Sequence, residues 1–334
     1  MSEARERQGR AAVSTAAPAR PVDHLQTVET PAVRPSRPPP PRRRSWRLTP
    51  LDGVVLLAVL AACGYAVWRV NDVLVYRWDW APVLNYVVRY DPETGAWIPN
   101  LLLEGLATTL RLAFWGTLFA TVIGVVMGFC RTSSNLAVGI FARAYVELIR
   151  NIPPLVFIFI FYFFISSQLF PVFGIGTPDP DSPLVDNPLF PVLFGEPRLF
   201  VNLMSGIVCL ALFEGAYITE IVRAGIGSVE KGQWEAARAI GLSRLDVLRD
   251  VVLPQALRRI LPPLAGQFIT LIKDSAIVSL ISIQELTFLA NEVASTTTRV
   301  FETWITVAVL YFCLCYAFAL LFGRLERRAR RSER

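Results

Sequence analysis

A lysine and an aspartate lie side by side inside an apolar run, Leu271-Ile272-Lys273-Asp274-Ser275-Ala276-Ile277-Val278, with a hydroxyl following them. Charge in such a place is expensive and faces a cavity or a partner charge rather than lipid. Two readings stand: a polar cluster on a translocation path or subunit interface, or a Lys273–Asp274 bridge that neutralises itself within the fold. Lys273 is one of two lysines in the chain, the other being Lys231. A second apolar run carries Glu214, Tyr217 and Glu220 at i, i+3 and i+6. They share a broad helical face that lines a pathway or meets a neighbouring helix. Glu104 and Arg111, seven apart in a third run, also share a face and read as a structural ion pair.

No bond-breaking chemistry can be assembled around these groups. The single histidine, His24, sits in a polar tail, which leaves no His-based triad and no metal site. The Gly-x4-Gly-Lys-Ser/Thr phosphate loop is missing, so the chain does not hold ATP in that way. Cys63, Cys130, Cys209, Cys313 and Cys315 fall in or at the ends of apolar runs and behave as small apolar residues. Cys313 and Cys315, two apart on a helix, face different directions. An intramembrane hydrolase would need a nucleophile–base set that is not here. The reading is a non-enzyme without cofactor or metal.

The elements that hold these residues are membrane spans. Hydrophobic residues make up 53% of the chain, charged ones 18%, and mean hydropathy is +0.45. Six runs are long enough for a hydrocarbon core, which takes about 20 residues: Leu51–Val70, Leu102–Cys130, Ile152–Phe170, Leu199–Ile221, Leu264–Ile283 and Thr303–Gly323. Gly116, Gly124 and Gly128, at multiples of four, predict close helix packing. The Phe-rich run Phe157–Phe164 reads as packing. Residues 1–47, rich in Pro, Arg and Ala, read as a disordered tail and not as a signal peptide. Residues 48–100 form the first span and an external connection, 101–324 the main domain, and 325–334 a basic tail.

Orientation follows from the arginines. Arg42, Arg43, Arg44 and Arg47 precede the first run, and Arg324, Arg327, Arg328, Arg330 and Arg331 follow the last. The connections Asn71–Asn100 and Pro171–Arg198 are acid-biased instead. Positive-inside then puts both termini in the cytoplasm. The net charge of +6 reflects topology and anionic lipid, not nucleic acid. Trp78, Trp80 and Trp97, in the first external connection, belong at the membrane interface.

Between two of the runs lies a polar island, residues 223–262, centred on Gly232-Gln233-Trp234-Glu235-Ala236-Ala237-Arg238-Ala239-Ile240-Gly241-Leu242-Ser243, with Leu253-Pro254 downstream. Its spacing predicts a short helix with a small-residue face of Ala236, Ala237 and Gly241. Gly241 ends that helix, and Ser243 caps a second one with Asp246 as its partner. Such a pair suits docking into a cleft on a soluble partner.

Glu-Ala-Ala-(three)-Gly followed by Leu-Pro resembles the coupling loop of permease subunits of ATP-driven bacterial importers. Glu214-Gly215-Ala216-Tyr217-Ile218-Thr219-Glu220-Ile221-Val222-Arg223-Ala224-Gly225 resembles the segment before that loop in polar amino acid importers. Arg150-Asn151-Ile152-Pro153-Pro154-Leu155 is similar to their Arg-Gly-Thr-Pro-Leu signature, with Asn151-Ile152 departing from Gly-Thr. The similarity runs from about Gly105 to Arg324. It implies an all-α inner-membrane permease of the type I importer fold, translocating polar amino acids by alternating access. Implied partners are a cytoplasmic ATPase dimer, an extracytoplasmic binding protein and a second permease copy, identical or sister. It also implies coupling through Gly232, Glu235, Ala236, Ala237, Gly241, Leu253 and Pro254. The rival reading is a stand-alone secondary transporter or channel, in which the loop would be incidental.

Overall fold

The computed structural model describes residues 49–73, 76–133 and 135–331. His24 and the arginines ahead of the first span lie outside them. Two units divide the chain between Val75 and Tyr76. In the first, α1 (Pro50–Val73) opens on a capping box with Pro50 in its first turn. The Thr49 N–H donates to Asp52 Oδ2 at 2.8 Å, and the Asp52 N–H returns a 3.4 Å bond to Thr49 Oγ1. Its described side chains are exposed along the whole helix, as suits an element whose solvent is lipid.

The second unit begins with structure that periodicity did not suggest. After the short α2 (Ala81–Asn85) comes an antiparallel hairpin, β1 (Val88–Asp91) and β2 (Ala96–Pro99), in the connection between the first two spans. Asp91 accepts from Glu93 N–H and Thr94 Oγ1 to shape the turn. Tyr76 Oη and Asp79 N–H both donate to the buried Glu302 carboxylate, at 2.5 and 2.8 Å. Arg299 adds a 3.3 Å contact to Asp79, so residues 76–80 are strapped down.

The Asn100 carboxamide caps α3 (Leu101–Thr132). Next comes a helix that the sequence reading left inside a connection, α4 (Leu136–Asn151), capped by Asn135. It buries Ala142, Val146 and Ile149 at helical spacing while Arg143, Glu147 and Arg150 stay exposed. Those charges dilute its mean hydropathy, which is why a search for apolar runs passes over it. The third span is α5 (Pro154–Ile160), a π-helical turn Phe161–Ser166 and α6 (Ser167–Val172). There Ser166 and Ser167 donate to carbonyls four residues back.

Past α7 (Leu189–Phe194) the chain enters α8 (Phe200–Gly227), which packs on α3. The glycines allow it: a Cβ on Gly124 would stand 2.4 Å from Ile218 Cγ2, and one on Gly128 2.5 Å from Val222 Cγ1. The expectation of close packing holds.

Beyond the loop helix α9 (Lys231–Ala239), α10 (Arg244–Asp246), a π-helical turn Val247–Val252, α11 (Leu253–Asp274) and a 3-10 turn Ser275–Ile281 follow without a break. The fifth span is therefore the far end of one rod, and the polar island is narrower than its sequence suggests. Glu285 caps α12 (Leu286–Thr297). Its buried carboxylate also accepts from Tyr311 Oη at 2.8 Å and Thr109 Oγ1 at 3.4 Å, which ties α3 and α12 to α13 (Val300–Arg331). α13 carries residues 325–331, four of them arginine, as helix.

Candidate functional site

The loop site is built by how α9 ends. Gly241 takes φ +88°, a region a side chain makes costly. Its N–H donates to Arg238 O at 3.0 Å and the Leu242 N–H to Ala237 O at 3.2 Å. That pair of bonds is a Schellman closure, which satisfies the last carbonyls of α9. Ser243 then caps α10, with 3.3 Å from the Asp246 N–H to Ser243 Oγ and 2.5 Å between Ser243 Oγ and Asp246 Oδ2. Both expected stop and start signals are in place.

Packing holds α9 against the rod. Trp234 is half-buried and Ala237 buried in a cluster with Val229, Val247, Val252 and Ala256. The Gln255 carboxamide reaches Gln233 at 3.4 Å. This corrects one expectation: Ala237 does not share an outward face with Ala236. Three residues after Trp234, it points with that ring into the chain's own core.

Gly232, Glu235, Ala236 and Gly241 are exposed. Leu253 is half-buried and Pro254 exposed in the first turn of α11, where a missing N–H costs nothing. Sequence reading missed two exposed aliphatics of the loop, Ile240 at 78% and Leu245 at 71% exposure, which flank the turn. Their signal was in the sequence: two large aliphatics at the ends of a polar pair of helices.

The intramembrane candidates separate. Glu214, Tyr217 and Glu220 do not act as one face. Glu214 is buried and accepts from the Gln267 amide on α11. Tyr217 is half-buried, with the Arg150 guanidinium 5.4 Å from its ring centre. Glu220 lies between Arg131 and Arg223, each at 2.9 Å, and is a structural ion-pair node at the loop end of α3 and α8. The i, i+3, i+6 spacing spreads three side chains over a wide arc, so each meets a different neighbour.

Lys273 and Asp274 are not ion-paired among the described residues. Lys273 is exposed and near enough to Cys315 to act on it electrostatically, while Asp274 is half-buried beside Glu214. Ser275 is buried and donates back to Ile272 O at 2.8 Å, a helix-local bond. Glu104 and Arg111 do not pair either. Arg111 instead donates to Pro191 O at 2.8 Å and Val192 O at 2.9 Å, and Trp115 to Leu193 O at 3.1 Å. Cationic and N–H donors thus answer carbonyls of α7's last turn, one of which, Pro191 O, also accepts the capping Gly195 N–H at 3.0 Å. Among the described residues no cluster of His, Cys, Asp and Glu has metal-ligand geometry.

Comparison with known proteins gives this geometry its context. A family model described as binding-protein-dependent transport system inner membrane component matches residues 120–331. The glutamine transport system permease protein GlnP of Escherichia coli (strain K12) is 34% identical over 228 residues, 68% of this chain and 92% of that protein. Among solved structures, an amino acid ABC transporter crystallised with histidines aligns with TM-score 0.58 and 31% identity, over 76% of this chain and all of that one. An inward-facing structure of the MetNI methionine ABC transporter aligns at TM-score 0.50 and 21% identity, over 68% of this chain and 93% of that one, a likeness of fold.

Proposed function

The chain belongs to the family of binding-protein-dependent transport system inner membrane components, and we propose that it carries polar amino acids, moved by alternating access and driven through the α9–α10 loop. It is a multi-pass inner-membrane permease subunit of an ABC importer, and the ATPase resides in a separate subunit. The amino acid cargo is carried over from the glutamine permease and the amino acid transporter to which the chain is similar.

The observation that carries the coupling role is the build of the loop. A short helix closed by Gly241 is braced by Trp234 and Ala237 on the rod that continues into the fifth span. Force on α9 therefore reaches α11 through packed side chains and continuous helix. Gly232, Glu235, Ala236 and Gly241, with Ile240 and Leu245, face the ATPase. Ala237, Leu253 and Pro254 act behind them, fixing α9 to the start of α11. Glu214, Asp274, Tyr217, Lys273 and Ser275 belong to the pathway side, whereas Glu220 braces α3 against α8. Residues 101–324 form the transport domain and 48–100 an added first span with its external connection. The loop and both termini lie in the cytoplasm, where the arginines concentrate. A second permease copy completes the pathway.

Co-purification tests this. A tagged chain should retain an ATP-hydrolysing subunit whose turnover rises with binding protein and amino acid together. Uptake that proceeds without any ATPase, in vesicles holding this chain alone, would favour the stand-alone transporter and end the coupling reading.

A further inference from the structure

At the end of α8 away from the loop lies a cavity of about 480 Å³, a size that suits a small molecule. Its walls come from the first turns of α3, from α7 and the start of α8, and from the turn that leads into α12. Three of the lining residues carry charge: Glu104, Arg111 and Glu196. Glu196 is paired with Arg198. Glu104 is exposed, and among the described residues its carboxylate has neither an ion pair nor a hydrogen bond.

Arg111 is clamped but has donors to spare. Its Nε donates to Val192 O, Nη2 to Pro191 O and Nη1 to Thr108 Oγ1 at 3.4 Å, which engages three of the five N–H groups of a guanidinium. One N–H on each terminal nitrogen is left. Gly195, at φ +75°, keeps the approach open, because a Cβ there would stand 3.3 Å from Arg111 Nη1. Asn202 and Gln284, half-buried in the same walls, bring carboxamides without charge. The cavity thus presents one unpaired anion and one cation with unspent donors. They stand seven residues apart on one face of α3, about 10 Å along its axis. That spacing keeps them from pairing and leaves room for a small molecule between them.

We propose that this cavity binds the zwitterion of an α-amino acid, with the α-carboxylate on the free N–H groups of Arg111 and the α-ammonium on Glu104. It is an entry site for cargo on the side opposite the loop, and it rests on the amino acid reading above. Recognition goes to the two groups that every amino acid shares, which leaves the side chain to the carboxamides and the apolar walls. A ligand without either α charge leaves one cavity charge unanswered and binds more weakly.

The test uses the permease–ATPase complex in lipid nanodiscs without binding protein. The chain's five cysteines are replaced, and Ser282→Cys puts a reporter thiol on an exposed position of the cavity wall. Alkylation by a hydrophilic maleimide is timed with glutamine, histidine or arginine present, each also as its N-acetyl and its α-amide derivative. At least one of the three amino acids should slow the reaction saturably, while its two derivatives should fail to do so at about ten times the concentration. Glu104→Gln, an exposed and near-isosteric change, should raise the half-protecting concentration at least about tenfold, as loss of a bond to a charged group implies. The rate without ligand should stay at the parent value, which shows the cavity intact. Protection that survives Glu104→Gln, or that either derivative reproduces, overturns the proposal. Protection that appears only with binding protein present overturns it too, and marks the cavity as a contact for that protein. If none of the three protects while the complete importer takes one of them up, the site falls and the amino acid reading stands. If none is taken up either, both fall.

Discussion

Gly241→Val isolates the loop's conformation from its contacts. A Cβ at this position would meet nothing within 4 Å, so packing makes no contribution to the cost. What remains is a β-branched residue at φ +88°, a strained placement costing about 1–3 kcal/mol. Relaxing it to negative φ breaks the bonds to Arg238 O and Ala237 O and frees the end of α9. A penalty of that size lowers the population of the closed loop by about 5–150-fold. The spans do not depend on it, so membrane abundance should match the parent. Purified complexes should lose the stimulation of ATP hydrolysis by substrate-loaded binding protein, or lose the ATPase. Gly241→Asn is the control, because asparagine tolerates left-handed backbone, and it should retain most coupling. If the Val variant couples like the parent, the backbone argument is wrong. If Asn fails as badly as Val, the position is read by the partner and not by strain.

Three further outcomes follow from particular contacts. Gly124→Val puts atoms where Ile218 already stands and should cost about 1–3 kcal/mol by overpacking, read as a lower melting temperature in detergent; Ile218→Ala in the same chain should restore part of it. Lys273→Met removes a charge that has no ion pair among the described residues, so abundance should hold within about 0.5 kcal/mol of stability while uptake changes, and loss of the protein from the membrane would contradict the exposed position. Single cysteines at Thr94 and Asp181 should react with an impermeant thiol reagent in spheroplasts when the chain's own five cysteines, Cys63 and Cys313 exposed among them, are replaced, while one at Arg238 should need permeabilisation; the opposite order would invert the orientation.

The spans were legible because length and apolarity leave few alternatives, and the loop because Gly241 and Ser243 are punctuation with one mechanism each. The pairings were not. Spacing pairs Arg111 with Glu104, yet helix-end carbonyls at 191 and 192, eighty residues on, outcompete it. Glu285 and Glu302 went unnoticed because each sits in a short polar stretch, and their partners Thr109, Tyr311 and Tyr76 are distant in sequence. α4 was hidden by the charges on its outer face, although its 3.6-residue period was present. In the candidate site, Ala236 and Ala237 look equivalent as letters; only the rod beneath α9 distinguishes them.

The π-helical turn Val247–Val252 has an angular consequence. It holds one residue more than an α-helical path between α10 and α11, so everything downstream stands about 100° from where an uninterrupted helix would carry it. The face that offers Gln267 to Glu214 is set by that offset, as is the direction in which a twist of the loop arrives at the α8–α11 contact. Removing any one of these six residues would regularise the helix and leave every remaining side chain chemically intact. The loop and the Gln267–Glu214 contact would nonetheless be out of phase, so in this stretch residue number is itself a functional quantity, independent of which residues are present.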